Sequence, residues 1–168
     1  MVLDELARRA GIRLAPGKGA RARAASGEGR LAGRRVVLAQ PSTYMNESGG
    51  PVRGLLDYHK LPPEQLVVVH DELDIDYGVV RLKRGGGEGG HNGLRSITRS
   101  TGTREYLRVR VGIGRPPGRQ DPADFVLRDF SATERKELDL LLVEAADATE
   151  ALLATGLEAA QNQVHPRT

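Results

Sequence analysis

Four polar stretches hold side chains able to do chemistry. PSTYMNESGG (41–50) brings Asn46, a carboxamide with two donors and an acceptor, to the start of a predicted helix. Free backbone N–H groups there can receive an anion or a carbonyl oxygen, although Ser42, Thr43 and Asn46 also suit plain helix capping. HDELDID (70–76) runs an apolar strand into acids. Asp71, nearest the strand, can orient and charge-stabilise a histidine base; Asp71, Asp74 and Asp76 together suit a hard divalent cation or a solvated loop. GGGEGGHNG (85–93) puts five glycines within six residues and then His91-Asn92 where a helix begins. Such a loop can cradle phosphate or gate a site; it lacks the G-K-[ST] ending of a Walker loop, and the His-Asn pair also suits capping. In YLRVRVGIG (106–114), alternation puts Arg108 and Arg110 on one face, roughly 7 Å apart at standard strand rise. Arg81 and Lys83 share a face of their own strand by the same parity. The set reads as a phosphate clamp or as a solvated strand face.

Regular elements must position these groups. Val2, Leu3, Leu6 and Ala10 fall at helical spacing, with Gly11 as a stop. Residues 15–33, rich in Gly, Ala and Arg, read as loops with a short exposed strand. VVLAQ (36–40) is a compact apolar run of the kind found in a strand covered on both faces. A helix is predicted over 43–58, and LVVVHDE (66–72) is a second buried strand. VVRLKR (79–84) and YLRVRVGIG alternate, so each predicts one wet face. A short helix near 93–100 and a Pro/Gly-rich loop over 115–124 follow. Ser131 and Glu134 form a capping box ahead of a helix to about residue 147, and a last helical stretch covers 148–160. The alternation predicts a single α/β domain over 1–168, with a mixed, largely parallel sheet and helices on both faces. Ligands bind such sheets at the carboxyl ends of the strands, where the polar stretches fall.

Composition narrows the chemistry. The 168 residues include no Cys, which excludes disulfides, Cys-ligated zinc and a Cys nucleophile. No apolar run reaches the ~18 residues of a membrane span, and MVLDELARRAG is too charged for a signal peptide. A cytoplasmic protein away from membranes is expected. The net charge of +3 hides segregation: +6 over 1–35, −5 over 36–80, +8 over 81–119 and −6 over 120–168. A stretch as basic as 81–119 is the footprint of a polyanion binder. Arg supplies 21 of the 25 positive charges, which genomic base composition can also produce. An aromatic content of 4% argues against a base-stacking platform.

PSTYMNESG, VVHDELD, GGGEGGHNGLRSI and YLRVRVGIGRP, in this order and at these separations, resemble the bacterial peptidyl-tRNA hydrolase family across essentially the whole chain. The resemblance implies a metal-free, cofactor-free esterase with a single α/β domain. It hydrolyses the ester joining a peptide to the 3′ ribose of a tRNA released from ribosomes. The matching positions imply that Tyr44 and Asn46 contact the substrate near the scissile ester, with Asn46 holding the peptide carbonyl or the attacking water. Asp71 stabilises the basic form of a catalytic His, and Asn92 binds the tRNA end and the reactive water, with His91 as a pocket wall. Lys83 and Arg110 grip the 5′ phosphate of the acceptor stem, and residues 115–124 match a mobile lid. A monomer with peptidyl-tRNA as its partner is implied.

One departure is plain. The family opens with a buried strand, a G-N-P-G turn and a Y-x-x-T-R-H-N motif whose His is the general base, whereas these residues start at MVLDEL, which resembles the next helix. None of His59, His70, His91 or His165 matches that base. The expectation is a domain truncated at its N-terminus and nearly inactive as written, with an unpaired edge beside VVLAQ or LVVV. A start codon set downstream, a shortened form and a degenerate paralogue all fit. Two other classes compete: a non-catalytic tRNA- or RNA-binding paralogue, and a metal-dependent hydrolase using Asp71–Asp76.

Overall fold

The structure is a computed structural model that describes residues 2–17, 23–43, 45–114 and 132–164. Tyr44, the 115–124 loop, Ser131 and His165 therefore lie outside the described residues. Close contacts gather the chain into two compact units. One comprises Met1–Glu5, Val69–Lys83 and Arg108–Thr168, the other Leu6–Val68 and Arg84–Leu107.

The chain opens with helix α1 (Val2–Ala10), which stops at Gly11, a residue with φ 65°. A short strand β1 (Ala15–Pro16) leads to β2 (Ala24–Leu31) and β3 (Arg34–Pro41), forming an antiparallel sheet in the order β1-β2-β3. The β2–β3 loop has two residues, Ala32 and Gly33, with φ of 53° and 75°. Two positive φ values in a two-residue loop match the twist of a hairpin. The loops with a short exposed strand expected over residues 15–33 are thus corrected: besides the short exposed β1, the second half is an eight-residue strand. Glycine there disguises the strand: a Cβ on Gly27 or on Gly29 would meet the Ile12 side chain at 2.5 Å. The missing side chains make room for Ile12 rather than a turn. VVLAQ is corrected too. Its strand is an end strand of this sheet, and Leu38 alone within 34–41 is buried.

A 3-10 turn (Met45–Glu47) and helix α2 (Gly49–His59) come next. The helix starts six residues later than predicted because Pro51 is accommodated in a first turn, where its missing N–H costs nothing. Asn46 consequently sits in the 3-10 turn and not at the helix start.

The second sheet contains β4 (Val67–Glu72), β5 (Val80–Arg84) and β6 (Leu107–Gly112), in the order β4-β6-β5. Bonds from Leu107 N to Leu66 O (3.0 Å) and from Ile113 N to Glu72 O (3.0 Å) advance together along both chains, so β6 and β4 are parallel. Bonds from Gly85 N to Tyr106 O (3.1 Å) and from Gly112 N to Val79 O (2.8 Å) run in opposite senses, so β5 and β6 are antiparallel. The α/β class holds, with mixed strand direction. Antiparallel ladders outnumber the parallel one among the described residues.

As a central strand, β6 has no wet face. Arg108, expected beside Arg110 on a solvated face, is 1% exposed and Val109 is fully buried. Helix α3 (Asn92–Thr101) packs Leu94 and Ile97 against Tyr106, with Val52, Leu66 and Val68 around them. The Tyr106 hydroxyl donates to the Leu94 carbonyl (3.3 Å) and lies 3.0 Å from Thr98 Oγ1. Helices α4 (Ala132–Thr155) and α5 (Leu157–Val164) are divided at Gly156, with φ 85°, and not near residue 147. On α4 the buried residues Leu141, Ala145, Ala148 and Leu152 recur at helical spacing.

Candidate active site

The helix that follows the glycine run carries the first group of candidate residues. His91 is the N-cap of α3, with φ −76° and ψ 112°, and its Nδ1 accepts from Leu94 N at 3.2 Å. An accepting Nδ1 places the proton of the neutral ring on Nε2. The backbone N–H of His91 donates to the Glu88 carbonyl at 2.9 Å. Glu88, the one charged residue in the glycine run, bonds Arg104 Nε at 3.2 Å, with its side chain 14% exposed. Burial alone would raise the Glu88 carboxyl; bonds from its own backbone N–H and from Arg104 outweigh it and hold the group below the usual glutamate range. The run is therefore anchored at its middle by a charge that the sequence reading passed over.

Asn92 is the first residue of α3 and is exposed. Its carboxamide has no hydrogen-bond partner among the described residues. The same is true of Asn46, exposed in the 3-10 turn. That turn and α2 both pack against α3. The structure thus brings Asn46, His91 and Asn92 onto neighbouring elements of one unit.

Asp71, Lys83 and Arg110 belong to the other unit. Asp71 is half-buried on β4, and the ring of the buried His70 donates from Nδ1 to the Asp71 backbone carbonyl at 2.8 Å. Lys83 on β5 and Arg110 on β6 share one electrostatic neighbourhood with Arg81, Arg108 and Glu72. Burial pushes the Lys83 ammonium down, Arg110 and Arg108 push it further, and Glu72 opposes them. Arg110 is likewise lowered by burial and by Arg81 and Arg108, against Glu72. Its Nε is buried without a hydrogen-bond partner among the described residues. Among the described residues, the charges that act on Lys83 and Arg110 are mostly positive, a repulsion that an anion beside them would relieve. Glu72 is a member that the sequence reading did not single out; its place beside Asp71 at the strand end was the available signal. Among the described residues no group of three or more His, Asp or Glu is placed to hold a metal ion, and no helix there is long and apolar enough to cross a membrane.

Fold and side chains define a class: an α/β protein with cations clustered on one sheet and two exposed carboxamides, Asn46 in the 3-10 turn and Asn92 at the start of α3. The peptidyl-tRNA hydrolase family model matches residues 1–168. The peptidyl-tRNA hydrolase of Frankia casuarinae is 64% identical over 165 residues, 98% of this chain and 82% of the relative. That of Rhodococcus erythropolis is 67% identical over 138 residues, 82% of this chain and 73% of the relative. Among solved structures, the peptidyl-tRNA hydrolase from Acinetobacter baumannii matches with a TM-score of 0.87 at 35% identity, covering 99% of this chain and 84% of that one. This chain belongs to the peptidyl-tRNA hydrolase family and is by that membership a hydrolase.

Proposed function

We propose that the chain hydrolyses the ester between peptide and tRNA, as a cytoplasmic monomer, with Asn46 and Asn92 as the carboxamides at the reacting carbonyl. The observation that carries this reading is the pair itself: two exposed carboxamides, without hydrogen-bond partners among the described residues, on elements packed against each other. One amide donates to the oxygen on which negative charge develops, and the other orients the attacking water. Water adds to the ester carbonyl, the bond to the ribose oxygen breaks, and that oxygen leaves with a proton. Asp71 stabilises the histidine base that takes the water's proton. Tyr44 and His91 flank the ester. Lys83 and Arg110 bind the 5′ phosphate of the acceptor stem, in keeping with the neighbouring cations that lower both.

On this reading the general base is supplied by the family's G-N-P-G and R-H-N segment. The test measures cleavage of an N-acylated aminoacyl-tRNA by residues 1–168 and by the same sequence with that segment joined ahead of it. The longer form is expected to turn over far faster, since acid–base help is worth about 10²–10⁴ in rate. In the longer form, Asn46→Asp and Asn92→Asp should each lower kcat/KM by about 10²-fold. Wild-type turnover by both variants would overturn the assignment. Salt-dependent tRNA binding with no cleavage by either form would select a non-catalytic RNA-binding paralogue instead.

A further inference from the structure

The carboxamides can act on one ester only if the 3-10 turn and α3 hold a fixed separation, and one buried hydrogen bond joins α2 to α3 close to both. Ser96 lies on α3 one helical turn beyond Asn92 and is 3% exposed. Its Oγ accepts from the backbone N–H of Gly49 at 2.9 Å, inside the protein. Gly49 is the first residue of α2, three positions after Asn46. The N–H groups of a first helical turn have no partner within their helix. The residue before it, Ser48, makes no side-chain cap bond and sits in helical φ and ψ. The neighbouring helix therefore does the capping.

Distance reinforces the bond. A Cβ on Gly49 would collide with the Ser96 carbonyl and with Ser100 Oγ, so the two backbones approach as closely as glycine allows. Farther along α2, Arg53 Nη1 donates to the Ser100 carbonyl at 3.3 Å. One end of α2 is thus tied to α3 through Ser96 and its second turn through Ser100. At the other end of the short arm to Asn92, the His91 cap fixes the first turn of α3.

We infer that Ser96 is a positioning residue for the hydrolysis proposed above: its bond to Gly49 sets the turn bearing Asn46 against the helix bearing Asn92. It touches neither substrate nor water. It acts through the two asparagines, and the inference rests on their proposed role. A 1 Å misplacement of such groups can cost about 10²-fold in rate, which is the scale at stake.

The first readout needs no turnover. In the 168-residue chain, the side-chain amide resonances of Asn46 and Asn92 are followed by NMR in Ser96→Ala, Ser96→Thr and, as a control, Thr101→Val. Thr101 is also buried, and its hydroxyl bonds the Ile97 and Thr103 carbonyls at the far end of α3. Ser96→Ala should shift both amide pairs and Ser96→Thr, which keeps the oxygen, should restore them. Thr101→Val should lower Tm without moving either pair. The second readout is cleavage by the longer form. Ser96→Ala should lower kcat by about 10-fold or more with KM within about two-fold, and Ser96→Thr should recover it. Unmoved amides with unchanged kcat would overturn the inference, as would losses in Ser96→Ala and Thr101→Val that simply track Tm. Asn46→Asp and Asn92→Asp run alongside separate the two failures. If they keep full turnover, the proposed function fails; if they lose it while Ser96→Ala does not, only the positioning role fails.

Discussion

A lysine that gives up its proton more easily than usual is a poor choice for a surface charge and a good one for an anion receptor. Burial and two neighbouring guanidinium groups lower Lys83. A bound phosphate would favour the charged form and raise it again, so affinity for a 5′-phosphorylated acceptor-stem RNA should fall as pH rises through the lowered Lys83 value. Lys83→Arg, which stays charged throughout, should flatten that dependence, and fluorescence anisotropy across an alkaline pH series checks it. A flat profile in the unsubstituted protein would rule out the contact. The sign reverses for folding: the unfolded chain holds this proton more tightly, so stability lost to the charged form returns as pH rises through the lowered value. Glu88 behaves oppositely. Its carboxyl is held below the ordinary range, so its contribution is present above the unfolded value and is lost as pH falls through the folded one. Its partner Arg104 is largely exposed, which limits the stabilisation to about 1 kcal/mol or less. Glu88→Gln should accordingly make the acid limb of Tm against pH shallower, by thermal melts between neutral and acid pH. An unchanged limb would remove the carboxylate from the account of the glycine run.

Elements explain which of these residues could be read in advance. The apolar runs of β4 and β6, the helical spacing of α1 and the helix after GGHNG are local patterns, and each lies within a residue or two of its expected place. The strand at 24–31 was hidden because Gly27 and Gly29 look like turn residues until Ile12 is seen against them. Arg108 and Arg110 share a parity that says which face they occupy but not whether that face is wet; only the central place of β6 decides, and it buries Arg108. The motif residues were legible as types, whereas the tie between Gly49 and Ser96 joins positions 47 apart and has no local signature. Tyr106 is a further tie of this sort. Its fully buried hydroxyl links α3 to the start of β6 through the Leu94 carbonyl and Thr98. Tyr106→Phe keeps the ring and removes those bonds, so a loss of about 1 kcal/mol is expected, measured as a lower urea midpoint at unchanged m. A midpoint equal to that of the unsubstituted protein would mean that ring packing alone supports α3.

At the scale of the molecule, the division into two units has a consequence for how the chain unfolds. The chain passes from one unit to the other between residues 5 and 6, 68 and 69, 83 and 84, and 107 and 108. Each passage falls inside a regular element: α1, β4, β5 and β6 in turn. A linker between domains would be exposed and poor in contacts, and would let one unit open while the other stays folded. A passage inside a strand offers no such hinge, because opening one half of the strand frays the hydrogen bonds that hold the other half. The two units should therefore unfold in one transition. Leu152, 4% exposed on α4, tests this from one side. Leu152→Ala should cost about 2–5 kcal/mol, as buried leucine truncations do. If folding is shared, native-state hydrogen exchange will show the slowest amides of β2 and β3, in the other unit, losing protection by the same free energy as those of α4. Slow β2–β3 amides that keep their full protection in Leu152→Ala would show that the units unfold separately despite the shared strands. In that case the cation cluster and the carboxamide pair could be destabilised one without the other.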